Sequence, residues 1–264
     1  MIRRQFLAMA GIAAMAMGTM AAPHAARADA LADITARGSI RVAVPQDAPP
    51  FGTVGPDMEL QGLDIDMAKL IAEKLGVKAE LVPVTLPNRI PYLQTNKADI
   101  VISSLGKNPD REKVIDFTSP YAPFFNGAFA PADIKIASAA DLSGKTVAVA
   151  RGAIEDLALT KIAPPDAIIK RFEDNNGTIS AFLSGQVQVI VTGNVIAAAI
   201  LEKNPPSRPE LKFLMNKSPC YIGLNKGEDA LKGKINEIIA AGRADGSMNK
   251  ITQKWLHQDI PADL

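Results

Sequence analysis

The chain has 264 residues, of which 29 are lysine or arginine and 28 are aspartate or glutamate, so that its formal net charge is +1. This balance argues against a nucleic-acid-binding protein, which needs a strongly basic surface. Apolar residues make up 47% of the chain, too many for a disordered protein, and the length suits one large domain or two smaller ones.

The first 28 residues differ from the rest of the chain, because they hold three arginines and no acidic residue. Arg3 and Arg4 form a basic start, an apolar run extends from Phe6 to Met20, and Ala26-Arg27-Ala28 is typical of a cleavage site. The pattern predicts a signal peptide over residues 1–28 and export to the periplasm by the Sec or the twin-arginine route. The remaining chain has two more acidic than basic side chains and no further apolar run that could span a membrane.

Cysteine and histidine are too scarce for several kinds of site. Cys220 is the single cysteine, so that no internal disulfide can form. Once the signal peptide is removed, His257 is the only histidine, which leaves no zinc-binding cluster and disfavours a Ser-His-Asp triad. Because no glycine-rich phosphate-binding motif follows a strand, we expect neither a metal nor a cofactor.

Strand-like and helix-like segments alternate along the rest of the chain. The predicted strands are 39–44, 77–84, 98–104, 146–150, 167–172 and 187–192. The predicted helices are 63–75, 88–96, 153–162, 178–183, 195–202 and 229–255, the last with an interruption at Gly246. This alternation predicts an α/β protein with parallel sheets, and the two successive blocks indicate two lobes.

A series of short motifs accompanies these elements. They are Pro49-Pro50-Phe51, Gly62-Leu63-Asp64-Ile65-Asp66, Lys97-Ala98-Asp99, Asn108-Pro109-Asp110-Arg111, Asp116-Phe117-Thr118, Gly144-Lys145-Thr146, Leu183-Ser184-Gly185 and Lys254-Trp255-Leu256. Their order and spacing resemble those of the periplasmic amino-acid-binding proteins of ABC importers, the family-3 extracellular solute-binding proteins. The resemblance covers essentially the whole chain after residue 28. It implies a type II periplasmic-binding fold of two lobes, each a mostly parallel sheet flanked by helices, with a two-strand hinge.

The resemblance also implies a domain organisation and a function. The first lobe would span 29–126 and 222–264, the second 132–216, and the hinge 127–131 and 217–221. The implied function is to capture a small carboxylate-bearing solute, an amino acid or a related compound, in the cleft between the lobes and to deliver it to an ABC permease. We expect a monomer that binds no nucleic acid and is not an enzyme.

Arg111 is the expected anchor for the ligand carboxylate, because a guanidinium can bind a carboxylate through two parallel hydrogen bonds. It follows the predicted strand end at Ser104 by a short loop, and a surface pairing with Asp110 or Glu112 is the alternative. The N–H groups of Gly152 to Ile154 stand at a predicted helix start, where they could face a bound anion. A simple turn is the alternative for that segment.

Two departures from the family pattern affect the expected ligand. The position of the family's hydroxyl, five residues before the arginine, is Gly106, and the family's ammonium-binding aspartate aligns with Gly193, next to the uncharged Asn194. A buried ammonium without an anionic partner is strongly unfavourable. Either Asp47 or Glu155 therefore takes the ammonium, or the ligand is an organic acid without a standard α-amino group.

The candidate ligand-binding residues are Asp47, Phe51, Arg89, Ser104, Gly106, Arg111, Gly152, Ala153, Glu155, Thr192, Gly193 and Asn194. Arg89 would suit a second carboxylate, and a solvated helix charge is the alternative for it. Asp64 and Asp66 open a helix and are expected to cap its N–H groups rather than to act as a catalytic pair. Phe124 and Phe125 are expected to pack at the hinge.

An enzyme on the same fold is the main alternative, because cyclohexadienyl dehydratases resemble members of this family. Such an activity needs a general acid in the cleft, and Glu155 could serve as one. A sensory input module ranks last, since the chain shows neither a membrane span nor a signalling domain.

Overall fold

Two five-stranded sheets, each flanked by helices, form most of the computed structural model, which describes residues 29–264. The α/β class and the two-lobed architecture predicted from the sequence are therefore confirmed. The predicted signal peptide, residues 1–28, lies outside the described residues.

The strands and helices before residue 123 belong to the first lobe. Its strands are β1 (Ser39–Val44), β2 (Asp47–Ala48), β3 (Gly52–Val54), β4 (Leu60–Gln61), β5 (Lys78–Pro83), β6 (Ile100–Leu105) and β7 (Ile115–Ala122). Its helices in this part of the chain are α1 (Ala30–Arg37), α2 (Leu63–Leu75), α3 (Arg89–Gln94) and α4 (Pro109–Glu112).

The second lobe follows, and the chain then returns to the first. The strands of the second lobe are β8 (Phe125–Ala130), β9 (Thr146–Ala150), β10 (Ile168–Phe172), β11 (Val189–Gly193) and β12 (Glu210–Lys217). Its helices are α5 (Ile154–Ile162), α6 (Asn175–Leu183) and α7 (Asn194–Glu202). The returning elements are β13 (Cys220–Asn225), α8 (Asp229–Ala244) and α9 (Ser247–Leu256).

The two sheets share one design. The first has the strand order β5-β1-β6-β13-β7, and only β13 runs against the other four strands. The second has the order β10-β9-β11-β8-β12, and only β8 is reversed. The sheets are therefore mostly parallel, as the sequence predicts. A small antiparallel sheet of β2, β3 and β4 extends the first lobe.

Helices cover both faces of each sheet because their apolar residues recur at helical spacing. In the first lobe Ile71 of α2 and Ile235 of α8 are buried in one core cluster, and Leu93 of α3 lies in another. In the second lobe Leu159 of α5 and Phe182 of α6 belong to separate clusters. Such two-sided burial explains why the central parallel strands β9 and β11 are mostly apolar.

The chain passes between the sheets twice, at residues 123–124 and at residues 218–219, and we call these stretches the crossing segments. The sequence prediction put the first hinge stretch at 127–131. In the structure residues 125–130 form β8 and pair within the second sheet. The backbone N–H of Ser218 donates to the carbonyl oxygen of Phe124 at 3.0 Å, so that the two crossing segments are hydrogen-bonded to each other.

Asp64 and Asp66 do not cap α2, contrary to the sequence prediction. The N–H groups of Leu63 and Asp64 donate instead to the carbonyl oxygens of Pro50 and Phe51, at 3.0 and 2.9 Å. The preceding loop thus supplies the hydrogen-bond acceptors for these two N–H groups. The carboxylates of Asp64 and Asp66 bind neighbouring elements instead. Asp66, for example, accepts a hydrogen bond from the indole of Trp255 in α9 at 2.8 Å.

Candidate functional site

Arg111 is buried between the two lobes. Pro109 starts the short helix α4, and the side chain of Asn108 caps it by accepting from the backbone N–H of Arg111 at 2.8 Å. The guanidinium donates to the carbonyl oxygens of Gly106, in its own lobe, and of Gly152, in the other lobe. Burial lowers the pKa of Arg111 to about 9, and the charge of Arg89 contributes, so that Arg111 is cationic at neutral pH.

The surface pairing considered for Arg111 is not formed. Asp110 pairs with Lys113 and Lys161, and Glu112 pairs with Lys107. The two neighbouring acids are thus engaged with lysines, and the guanidinium of Arg111 contacts only backbone carbonyl groups among the described residues.

Arg89 is a second buried arginine, 2% exposed, at the first position of α3. Its guanidinium donates to the carbonyl oxygens of Leu86 at 3.0 Å, Ser103 at 2.9 Å and Gly152 at 3.1 Å. It is therefore not a solvated helix charge. Burial lowers the pKa of Arg89, and the carboxylates of Glu155 and Asp47 oppose that shift.

Gly152 faces both arginines with its carbonyl oxygen. Its φ is +71°, a left-handed conformation that favours glycine. Its N–H donates to Asp156 at 3.1 Å, and the N–H of Ala153 donates to the carbonyl of Ala150 at 3.2 Å. Two of the N–H groups that the sequence suggested for an anion are thus already bonded, and the acceptor at this point of the cleft is the Gly152 carbonyl.

Two acidic residues accompany the arginines. Glu155, in the first turn of α5, is 5% exposed, and Asp47, in β2, is 8% exposed. Burial raises the pKa of each carboxyl, while the charge of Arg89 opposes the rise for both and that of Arg111 opposes it for Glu155. Asp47 also reaches across the cleft, where its carboxylate accepts from the backbone N–H of Asn175 at 2.8 Å.

These four side chains set the electrostatics of the cleft. Two guanidinium groups and two carboxyl groups are buried where the lobes meet, and the formal charges of these four groups cancel when both carboxyls are ionised. A ligand that carries a net charge would leave that charge uncompensated in a poorly solvated site, which is strongly unfavourable. A ligand with one carboxylate and one ammonium keeps the balance.

Ser104 lies near the end of β6, the middle strand of the first lobe, and Gly106 directly follows that strand. Ser104 has a φ of +40°, and its backbone N–H donates to the buried carboxylate of Asp64 at 2.7 Å. A Cβ at Gly106 would stand 2.6 Å from the hydroxyl oxygen of Ser218 and 3.1 Å from Ile154 of the other lobe. Any residue larger than glycine would push against both neighbours.

Three other predicted residues, Phe51, Thr192 and Asn194, are engaged in packing or in backbone contacts. Phe51 is fully buried, with its ring centroid 5.8 Å from that of Phe124. Thr192 is buried in β11, and Asn194 uses its side-chain oxygen to accept from the backbone N–H of Phe125 at 3.1 Å. The geometry gives these three residues packing or backbone roles.

Two cavities adjoin the arginines. The cleft cavity, of about 20 Å³, is lined by Leu86, Arg89, Ser104, Phe124, Ala153, Ile154, Glu155, Asn175 and Ile196. A larger one of about 240 Å³ is lined by Arg111, Gly152, Pro87 and again Arg89. Arg89, Ser104, Ala153 and Glu155, which the sequence singled out, thus meet in the cleft cavity.

Four cleft residues escaped the sequence prediction as ligand contacts. They are Leu86, Phe124, Asn175 and Ile196. Asn175 could have been found, because Asp174 before it is a good helix N-cap residue and accepts from the N–H of Gly177. The others carry no chemical signal, since an apolar side chain in a cleft looks like a core residue in the sequence.

Within residues 29–264, no group of three or more histidine, cysteine, aspartate or glutamate side chains could hold a metal ion. In the same part of the chain, no helix combines the length and apolar character that crossing a membrane requires.

Comparisons with known proteins show relatives in sequence and in fold. The ABC transporter glutamine-binding protein GlnH of Bacillus subtilis (strain 168) is 30% identical over 240 residues, which cover 89% of this chain and 87% of the relative. The solved cysteine-binding protein from Campylobacter jejuni has a TM-score of 0.82 at 29% identity, covering 89% of this chain and 96% of that one. A solved ancestral amino acid-binding protein, a precursor of cyclohexadienyl dehydratase, has a TM-score of 0.78 at 32% identity, with 85% and 98% covered.

The family suggested by the sequence motifs is confirmed by the match of a family model. That model describes the bacterial extracellular solute-binding proteins, family 3, and it matches residues 40–258, most of the chain and both lobes. The chain belongs to the bacterial extracellular solute-binding proteins, family 3.

Proposed function

We propose that this protein is the solute-binding component of an ABC importer, that it captures a zwitterionic amino acid between its lobes, and that it delivers this solute to a membrane permease. The observation that carries the proposal is the balanced set of buried charges in the cleft, Arg89 and Arg111 with Asp47 and Glu155. Relatives described as glutamine-binding and L-cystine-binding proteins support the amino-acid class.

Each charged group has a role in this proposal. Arg111, with Arg89 beside it, binds the ligand carboxylate, which takes over the donors that now meet the Gly152 carbonyl. Glu155 and Asp47 supply the negative charge for the ammonium, in place of a side chain at Gly193. The competing hypothesis, an organic acid without an amino group, would leave the two buried acids without a cationic ligand group.

Ligand release followed by thermal shift tests the proposal. The purified protein is denatured, the released small molecules are identified by mass spectrometry, and a panel of L-amino acids is screened for a rise in the unfolding midpoint, which binding produces by mass action. We expect Arg111→Ala to abolish the shift and Arg151→Ala to preserve it, since Arg151 is exposed and pairs only with Glu173 among the described residues.

Glu155→Gln separates the two ligand classes. For an amino acid we expect the variant to weaken binding by at least about tenfold, because it removes the ammonium's anionic partner. Binding of the matching 2-oxo acid, which lacks the ammonium, should not be weakened by this substitution. A protein that prefers the 2-oxo acid in its unaltered form would refute the zwitterion and favour the organic-acid hypothesis. An undiminished shift in Arg111→Ala would place the carboxylate anchor elsewhere.

A cyclohexadienyl-dehydratase-like enzyme is the second candidate, favoured by one observation. Glu155 is buried beside Arg89 and Arg111, and burial raises the pKa of its carboxyl, as a general acid requires. Incubation with prephenate or arogenate, followed by detection of phenylpyruvate or phenylalanine, tests this function. Turnover that is lost in Glu155→Gln would establish the enzyme and overturn the proposal of binding alone.

The proposed location is the periplasm. Residues 1–28 would direct export and be removed near Ala28, and the remaining chain would act there as a monomer. This proposal rests on the sequence pattern of the leader and on the family, whose members are described as extracellular.

A further inference from the structure

The ring of Phe124 occupies the space beside Gly193. A Cβ built on Gly193 would stand 2.0 Å from Cζ, 2.4 Å from Cε2 and 3.0 Å from Cε1 of that ring. Real Cβ atoms do not approach other atoms so closely, so that any side chain at position 193 requires the ring to move. Phe124 is itself 8% exposed, which means that the ring fills this part of the cleft rather than projecting into solvent.

The ring is held in this place from several sides. Its centroid lies 5.8 Å from that of Phe51, at an interplanar angle of 53°. The carbonyl of Phe124 accepts from the N–H of Ser218, and the N–H of the next residue, Phe125, donates to the side chain of Asn194. Backbone and ring are thus fixed where the chain passes between the lobes.

Phe124 also separates two cavities. On one side lies the cleft cavity of about 20 Å³, which contains Arg89, Glu155 and Ser104. On the other side lies what we call the crossing cavity, of about 270 Å³, lined by Asn194, Lys217 and Pro219 among others. Because Phe124 lines both cavities, a smaller side chain at this position is expected to enlarge the space in the cleft.

We propose that Phe124 is the specificity-determining residue of this protein, whose ring limits the size of the side chain that a bound amino acid can carry. The inference rests on the proposed function, since it presupposes an amino acid bound through Arg111 and Glu155. The ring stands against the part of the cleft that Leu86 and Ile196 line with apolar surface. The ring offers no charge to a ligand, and like Leu86 and Ile196 it adds apolar surface beside Arg89 and Glu155, so that it acts on a bound amino acid by limiting the space left for its side chain.

The test is a comparison of dissociation constants across ligands of increasing size. L-Alanine, L-serine, L-glutamine, L-arginine and L-phenylalanine are titrated calorimetrically into the full chain and into Phe124→Ala, Phe124→Leu and Phe125→Ala. We expect Phe124→Ala to improve the affinity for the larger amino acids relative to the smaller ones by at least about tenfold. Phe124→Leu should give a smaller change in the same direction and keeps the proposal testable if the alanine variant does not fold.

Two controls separate a specificity role from a packing role. Phe125→Ala changes the neighbouring ring, which lines the crossing cavity but not the cleft cavity, and should leave the ranking of ligands unaltered. Gly193→Ala should weaken binding of every responding amino acid in the wild-type background and have little effect when combined with Phe124→Ala. An unchanged order of ligand affinities in both Phe124 variants would overturn this inference and leave the proposed function intact. If no amino acid binds any variant or the wild type, the proposed function fails and the inference fails with it.

Discussion

Gly152 illustrates how a single backbone conformation organises this cleft. Its left-handed φ of +71° turns the carbonyl oxygen toward Arg89 and Arg111, while its N–H is used by Asp156. A Cβ at this position would stand 3.3 Å from the Cα of Pro87 in the other lobe. The residue is therefore constrained twice, by its own torsion angles and by the neighbouring lobe.

Gly152→Ala separates these two constraints when it is compared with Gly185→Ala. Gly185 has a φ of +74° but no atom within 4 Å of its Cβ position. We expect both variants to lower the free energy of unfolding by about 1 kcal/mol, because alanine is strained in the left-handed region. Only Gly152→Ala should also weaken amino-acid binding, by about fivefold, since the added methyl group hinders the approach of the lobes.

Urea unfolding and calorimetric titration of the two variants measure these effects. Equal losses of affinity in both would contradict an interlobe role for Gly152 and leave only the backbone strain. If neither variant lowers the free energy of unfolding, the argument from the left-handed backbone conformation is contradicted.

At the scale of elements, the sequence predicted the strands that have a parallel partner and most of their covering helices, but not the strands whose partners are all antiparallel. β9 is apolar from Val147 to Ala150, and α2 has a clear helical repeat that ends at Gly76, which has a φ of +72°. By contrast, β12 has register shifts that break its alternation, and β2 and β4 have only two residues each. Such strands form through pairing with partners distant in sequence, which a local pattern does not record.

At the start of α6, a small error in the predicted helix boundary left out a contact between the lobes. The apolar pattern predicted the helix from Thr178, whereas it begins at Asn175 after the capping residue Asp174. The missed first turn contains the N–H that Asp47 binds across the cleft. The sequence singled out Arg111 and Glu155 because of their charge, and the structure buries both side chains where the lobes meet. The sequence did not single out Phe124 as a cleft residue, since the position of that ring depends on the path of the crossing segments.

Asp64 links three elements and makes a prediction about pH. Its carboxylate, in the first turn of α2, accepts from the hydroxyl of Tyr121 in β7 at 2.6 Å and from the N–H of Ser104 in β6 at 2.7 Å. Burial raises the pKa of Asp64 to about 7, although both hydrogen bonds favour the charged form. The folded state therefore retains a proton on Asp64 that the unfolded chain loses near pH 4.

A carboxyl with a raised pKa in the folded state contributes stability at low pH that is lost as the pH rises. We expect the free energy of unfolding of the wild type, relative to Asp64→Asn, to fall by up to about 4 kcal/mol between pH 4 and pH 7 and to level off above. Urea unfolding of both proteins at several pH values measures the difference, in which the other titrating groups cancel. A difference that rises with pH would mean that the hydrogen bonds outweigh the burial.

For the whole molecule, charge acts locally rather than as a bulk field. Without residues 1–28 the chain carries only two more acidic than basic side chains, so that it has little long-range attraction for a charged solute. The charges that matter are Arg89, Arg111, Asp47 and Glu155, all buried where the lobes meet. In the proposed function, ligand recognition and the approach of the lobes depend on the same side chains. A variant can then disturb either one lobe or the contact between the lobes.

Two aspartates that accept hydrogen bonds from the first turn of α6 allow that distinction to be tested. Asp47 comes from the first lobe and accepts from the N–H of Asn175, whereas Asp174 belongs to the second lobe and accepts from the N–H of Gly177 at 2.7 Å. We expect Asp47→Ala to weaken amino-acid binding by about tenfold. The variant removes the charged acceptor of the Asn175 N–H, and that hydrogen bond forms only in the state in which the lobes meet. The radius of gyration of the variant in X-ray scattering with saturating amino acid should exceed that of the wild type.

Asp174→Ala is the matched control, because it removes a helix cap within one lobe. We expect it to lower the free energy of unfolding by about 1 kcal/mol while the radius of gyration with saturating amino acid stays at the wild-type value. The reverse pattern would be an unchanged radius of gyration for Asp47→Ala and an enlarged one for Asp174→Ala. It would show that the lobes are held together by an intact α6 and not by the carboxylate of Asp47.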